Sequence, residues 1–334
     1  MFGLFFKIFI SLFFSSLSLM AIEDLQTQKE SKPAFETFYE GWQAESRENY
    51  KKAFRLYTKA SNKGYSAATF HMAKMYEKGV GVKQDYSKAF ASYKVIAKTG
   101  YVKAQLFLAR LYEEGKGVSQ DNKEAFYWYK KAADQGSVSA QMATAKMYEK
   151  ALGAQKSFVK SIKYYKKAIE QGSLEACTSL AYLYIHEEKL KAHLKEGKNL
   201  LIRSAKKGEL RAQYHLSKLY ANSKIFRTNN EKSIYWLKKS ADQGYSKAQY
   251  ELGSFYTQVK ALDYEKAFKY LQRSAELGYT NAQYDLGLMY YEGIGTQVDK
   301  YKTYAYWLEA SASGDKDAEH NLKILCKSSP EVCK

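Results

Sequence analysis

The residues of this chain whose types suit catalysis or metal binding are few, and their spacing fits neither. Five histidines are present, His71, His186, His193, His215 and His320. None stands in an H-E-x-x-H or in a Cys/His spacing, which is what a zinc site needs to gather three or four ligands. Ser157–Lys160 and Ser204–Lys207 fit S-x-x-K by letter. Neither has the S-D-N or K-T-G that completes such a nucleophile site. With no acid–base pair or activated nucleophile in view, the chain reads as a non-enzyme with no cofactor and no metal. Three segments hold a Gly-x-Gly, GVGVKQD (79–85), GKGVSQD (115–121) and GIGTQVD (293–299). As a phosphate cradle this would follow a strand, and none precedes it. The two glycines instead supply positive φ, and the aspartate caps the helix that follows. Cys326 and Cys333, in CKSSPEVC, are near enough in sequence to bridge in an oxidising compartment if their separation in space allows it. Cys177 is then left unpaired.

The elements that must position these residues are helices. Pro33 and Pro330 are the only prolines, and the stretch between them is rich in Ala, Lys, Leu, Glu and Tyr. Glycines at 64, 100, 136, 172, 208, 244, 278 and 314 recur at 36 residues, with one interval of 34. Four residues after each comes an alanine, from Ala68 to Ala318, and eight further a tyrosine, from Tyr76 to Tyr290, with Cys326 in the last unit. The alanine-to-tyrosine segment predicts a first helix, and a small side chain at its sixth position (Ala73, Ala109, Ala145, Ala181, Ser217, Gly253, Gly287) lets a neighbour approach closely. A second helix ends at the glycine, which is read as a left-handed C-cap. Eleven residues before that glycine stands another small side chain in most units, and Trp128, Trp236 and Tyr270 lie eight before it, where packing needs bulk. The loop is degenerate at 151–157, is lost around 186–195 and 221–230, and shortens near 257–263.

The succession A-x-x-x-L-G-x-x-Y, G-x-G-V-x-x-D, K-A-x-x-W and terminal glycine resembles the Sel-1-like repeat, a relative of the tetratricopeptide repeat with a longer loop. The resemblance implies an all-α fold, a right-handed α/α superhelix (solenoid) of antiparallel helix hairpins. It divides the chain into a signal peptide (1–21), a linker (22–33), a divergent N-terminal capping hairpin (34–64), seven repeats (65–314) and a C-terminal capping half-repeat with tail (315–334). It also implies an adaptor: family members mainly assemble other proteins, and exported bacterial members act as periplasmic regulators or in envelope and host-cell interactions. One cysteine-rich secreted branch is associated with β-lactam binding or hydrolysis. It carries a cysteine pair in each repeat, and this chain does not. A binder or hydrolase of cell-wall fragments or β-lactams is therefore the alternative reading.

Residues 1–21 carry Lys7, an apolar stretch from Ile8 to Met20 and then Ala21, the pattern of a secretory signal peptide cut after Ala21. Export, to the periplasm or beyond in a Gram-negative bacterium, is the expected localisation, and membrane contact is expected only through this segment if it stays uncleaved. The 53 Lys+Arg against 35 Asp+Glu give a formal charge of +18. That suits an anionic envelope polymer as well as a solvated surface, while no nucleic-acid motif is present. In the first helix, packing leaves free the positions three and six after the alanine. By resemblance to tetratricopeptide proteins these line the concave side. The expected partner-binding residues there are His71, Lys74, Phe107, Arg110, Lys146, Tyr182, His215 and Lys218, a mainly basic row suited to another protein or an acidic peptide.

Overall fold

The computed structural model describes residues 32–222, 225–258 and 262–333. The expected signal peptide and most of the linker lie outside the described residues. Those that are described form α-helices, with two short 3-10 turns and no strand. The chain divides into two compact units, the first ending at Gln171 and the second starting at Gly172.

The first unit holds four antiparallel hairpins: α1 (Lys32–Ser46) with α2 (Tyr50–Ser61), α3 (Ser66–Lys78) with α4 (Tyr86–Lys98), α5 (Val102–Glu114) with α6 (Asn122–Asp134), and α7 (Val138–Lys150) with α8 (Phe158–Glu170). The second holds α9 (Leu174–His186) with α10 (Leu194–Lys206), α11 (Leu210–Ala221) with α12 (Asn230–Asp242), α13 (Ser246–Tyr256) with α14 (Tyr264–Glu276), and α15 (Thr280–Glu292) with α16 (Lys300–Ala312). A last helix, α17 (Lys316–Ser328), and the turn Pro330–Cys333 close the chain. Each unit is thus a stretch of α-solenoid, its helices packing mainly on those next in sequence.

The repeat's residues explain these elements one by one. Asp85, Asp121, Asp263 and Asp299 each accept a hydrogen bond from the backbone N–H two or three residues on, satisfying donors that a helix start leaves open. The unit alanines, such as Ala68, Ala104, Ala212 and Ala282, are fully buried, as is the tyrosine or leucine seven residues before the glycine, among them Tyr57, Tyr93, Leu201 and Leu271. Burying a side chain of that size contributes about 2 kcal/mol. A buried glutamine follows many of the alanines. Gln105 Nε2 donates to the Ala97 carbonyl at 3.2 Å, and Gln135 donates to Gln105 at 2.7 Å, so one side chain ties two turns together. Cys177 occupies this position in α9 and is buried.

The second glycine of the loop does more than adopt positive φ. A Cβ on Gly117 would lie 2.2 Å from the Tyr86 carbonyl oxygen, and one on Gly153 would lie 1.8 Å from that of Asn122. These loops therefore seat directly on the first residue of the preceding second helix, which fixes the step from one hairpin to the next. Where the loop motif is lost after α9, the chain makes a 3-10 turn, Glu188–His193, with Leu190 out of helical geometry.

Candidate protein-binding surface

In the first unit the row expected to be basic is interleaved with carboxylates. Glu45 accepts from the buried Tyr57 hydroxyl, and its carboxyl lies 3.2 Å from His71 Nδ1. The His71 hydrogen bond, with help from Tyr57 and the nearby Lys74 charge, holds Glu45 down at about 2 despite its burial. One period on, Tyr93 donates to Glu77 at 3.0 Å, and Arg110 pairs with the same carboxylate. The Arg110 guanidinium also lies over the Phe107 ring, 4.5 Å from its centroid, and Phe107 meets Phe70 edge-on at 5.2 Å. Tyr129 repeats the bond to Glu113 at 2.7 Å, and Tyr165 to Glu149 at 3.0 Å. Burial and these carboxylates push the Tyr57, Tyr93 and Tyr129 hydroxyls well above the usual phenol range. Lys146 stands exposed beside this series.

The glutamates are the part of this surface that the sequence reading did not select. Their signal is visible in retrospect: a glutamate follows the unit tyrosine at 77, 113 and 149, and a tyrosine follows it sixteen residues later at 93, 129 and 165. The second unit has leucine at the latter register, at 201, 237 and 271, and none of the corresponding glutamates.

In the second unit the structure brings together three of the expected residues, Tyr182, His215 and Lys218. They line a pocket of about 40 Å³ with His186, over a floor of Ile185, Leu201 and Leu219. The Tyr182 and His186 rings stack at 3.9 Å, and His215 approaches Tyr182 at 5.0 Å. His186 Nδ1 lies 2.9 Å from the Tyr182 carbonyl oxygen. A carbonyl only accepts, so Nδ1 carries a proton and donates it there. Burial, and secondarily the His186 charge, pull His215 down to about 4. Lys218 pairs with Glu251 at 3.0 Å, and Tyr214 donates to the same carboxylate at 2.7 Å. His186 escaped selection because it lies one turn beyond the repeat positions that were compared.

The serines of the two S-x-x-K matches serve the fold. Ser157 caps α8, accepting from the Lys160 N–H. Ser204 is fully buried and donates to the Leu174 carbonyl at 3.0 Å. Among the described residues no group of three or more His, Cys, Asp or Glu is placed to hold a metal. Cys326 and Cys333 are joined, with Cα atoms 5.6 Å apart, and the turn they close buries Val332.

Hairpins stacked at a fixed period, each offering one variable row on its first helix, define an α-solenoid of the interaction-scaffold class. A family model for the Sel1 repeat matches residues 36–65, 66–91, 102–137, 138–173, 210–245, 246–279 and 280–315. The chain belongs to the Sel1 repeat family, whose members are generally protein–protein interaction scaffolds. The first match falls on the hairpin that the sequence reading set apart as a divergent cap. Among solved structures, c5321 of uropathogenic Escherichia coli, a protective antigen with an SLR fold, is similar at 28% identity and a TM-score of 0.61, over 92% of this chain and 67% of that one. A Sel1 repeat protein from Oxalobacter formigenes is similar at 27% identity and a TM-score of 0.61, over 95% of this chain and 92% of that one. Yeast Tom70, at 13% identity and a TM-score of 0.54 over 91% of this chain and 65% of that one, shares the fold. Comparison with curated proteins gave no match.

Proposed function

We propose that this protein is an adaptor of the bacterial cell envelope that captures another protein along the variable row of its first helices. The observation that carries the reading is the convergence of Tyr182, His215 and Lys218 on one pocket with an apolar floor. Positions that packing leaves free in sequence there form a concave, chemically mixed surface, which suits an anchoring side chain of a peptide. His71, Lys74, Phe107, Arg110 and Lys146 form the corresponding row of the first unit. Because Glu45, Glu77 and Glu251 neutralise part of it, the favoured segment alternates acidic and apolar residues rather than being uniformly acidic.

The envelope assignment is supported by the apolar N-terminal sequence and by the Cys326–Cys333 bridge, which persists only in an oxidising compartment. The protective-antigen character of the Escherichia coli relative fits the same location. Crosslinking capture from a native envelope, with wild type against Lys74→Glu/Arg110→Glu/Lys146→Glu/Lys218→Glu, tests the reading. The variant should keep its helical circular dichroism and lose at least tenfold of the captured partner. Unchanged capture would remove the row from the function.

A further inference from the structure

The net positive charge is not spread evenly over the molecule. In the first unit the first helices, α1, α3, α5 and α7, together hold as many Asp and Glu as Lys and Arg, whereas α2 and α4 hold no acidic residue. The surplus lies on the second helices, α2, α4, α6 and α8. Their N-terminal ends are set side by side through Gly81 on Tyr50, Gly117 on Tyr86 and Gly153 on Asn122. Tyr164 of α8 also donates to Asp134 of α6 at 2.8 Å. These helices form one layer.

The outermost stripe of that layer lies thirteen, nine and five residues before each terminal glycine. On α2 it is Lys51, Arg55 and Lys59, all exposed. On α6 and α8 it is Lys123 and Lys131, then Lys163 and Lys167, and no acidic side chain occurs on the stripe in any of the four helices. Exposed apolar side chains share the stripe: Tyr127 is 46% exposed and Val159 80% beside the cations of α6 and α8, and Val95 is 64% exposed on α4, whose stripe of Ser87, Ala91 and Val95 holds no cation. The second unit supplies an internal comparison, because the same fold in the same register there carries Glu231, Glu265 and Glu309. Solvation alone would be met equally well by either pattern, so it does not account for the exclusion of acids from this stripe of the first unit.

We propose that the outer face of α2, α4, α6 and α8 docks on an anionic phospholipid bilayer. Cations at this density are drawn to an acidic leaflet, each strengthening binding about fivefold. The valines favour a bilayer over a soluble polyanion, since they gain by entering the headgroup–acyl boundary and gain nothing against a hydrated chain. Among the described residues no helix is long and apolar enough to cross a membrane.

The test is co-sedimentation of the chain from Ile22 onward, which retains every described residue, with vesicles of phosphatidylcholine containing or lacking 30% phosphatidylglycerol. Binding should require the anionic lipid and disappear at high salt. Arg55→Glu/Lys131→Glu/Lys163→Glu should weaken it at least a hundredfold. The matched second-unit variant Lys195→Glu/Lys239→Glu/Lys269→Glu should weaken it far less. Val95→Ser/Val159→Ser should cost about tenfold on vesicles and leave binding to long-chain polyphosphate unchanged. Equal loss in the two triple variants, binding to phosphatidylcholine alone, no binding to either vesicle, or no effect of the valine changes would each overturn the proposal. The last outcome would point to a soluble polyanion instead. Partner capture through the first helices is read separately and survives any of these results.

Discussion

His215 and Glu45 show how single side chains on the first-helix row set the pH response. A free histidine takes up its proton near 6.5, but burial beside His186 holds His215 at about 4. Between those values the unfolded chain binds the proton and the folded chain does not, so stability falls as pH drops from 6.5 toward 4. The loss is about 2–3 kcal/mol at most. Thermal melts across this window should show it, and His215→Phe should flatten the slope; an equal slope in the variant would mean that another group governs the response. Glu45 acts lower on the scale. Its folded value near 2 lies below the usual 4.5, so its contribution is complete above 4.5 and is lost as pH falls toward 2. Being partly exposed, it contributes about 1 kcal/mol through its charged hydrogen bonds. Glu45→Gln should therefore lower stability at pH 7 and converge with wild type near pH 2.

Loops decide how the helices are spaced, and two kinds of glycine in them answer to different constraints. Gly100 has φ of 99° with nothing within 4 Å of a would-be Cβ, so Gly100→Ala meets only the cost of a left-handed backbone, about 1 kcal/mol. Gly117 has the same kind of φ and, in addition, the Tyr86 carbonyl against it. Gly117→Ala must move the loop off α4 and should cost about 3 kcal/mol in urea unfolding. The reverse case is Ala151, which takes φ of 58° where the other loops have Gly79, Gly115 or Gly293. Ala151→Gly should raise stability by up to about 1 kcal/mol. Much of this scale was legible beforehand: period, helix ends, caps and the irregular loop near 186–195 all follow from residues that repeat. What was not legible is the contact each repeated residue makes. Positive φ explains Gly117 adequately in sequence, and the carbonyl 2.2 Å away appears only when the next hairpin is in place. Likewise Glu77 reads as one more surface charge until Tyr93, sixteen residues on, is seen to donate to it. Pairings between helices depend on where the stack brings the chain back, which single-helix periodicity does not encode.

Each unit of the molecule behaves as a quasi-one-dimensional array, because its helices contact mainly those next in sequence. In such an array the removable unit is a whole period, and the phase of first and second helices must be kept. Deleting residues 102–137 removes α5 and α6 and joins α4 to α7 through the same glycine-to-helix junction that the fold uses elsewhere. The seams stay matched: the first helices on either side of the cut, α3 and α7, present a buried alanine, Ala68 or Ala140, at the same register. That chain should fold cooperatively, with a urea m-value reduced roughly in proportion to the surface removed. Deleting only 102–119 removes α5 and leaves α4 followed by α6, two second helices in succession. Tyr129 then loses Glu113, and the alanine face that packs against a second helix has no counterpart. This shorter deletion, though it removes half as many residues, should lose most of the cooperative transition in the first unit. Equal stability of the two deletions would mean that the hairpins do not depend on their neighbours, and the account of the fold as an array would fail.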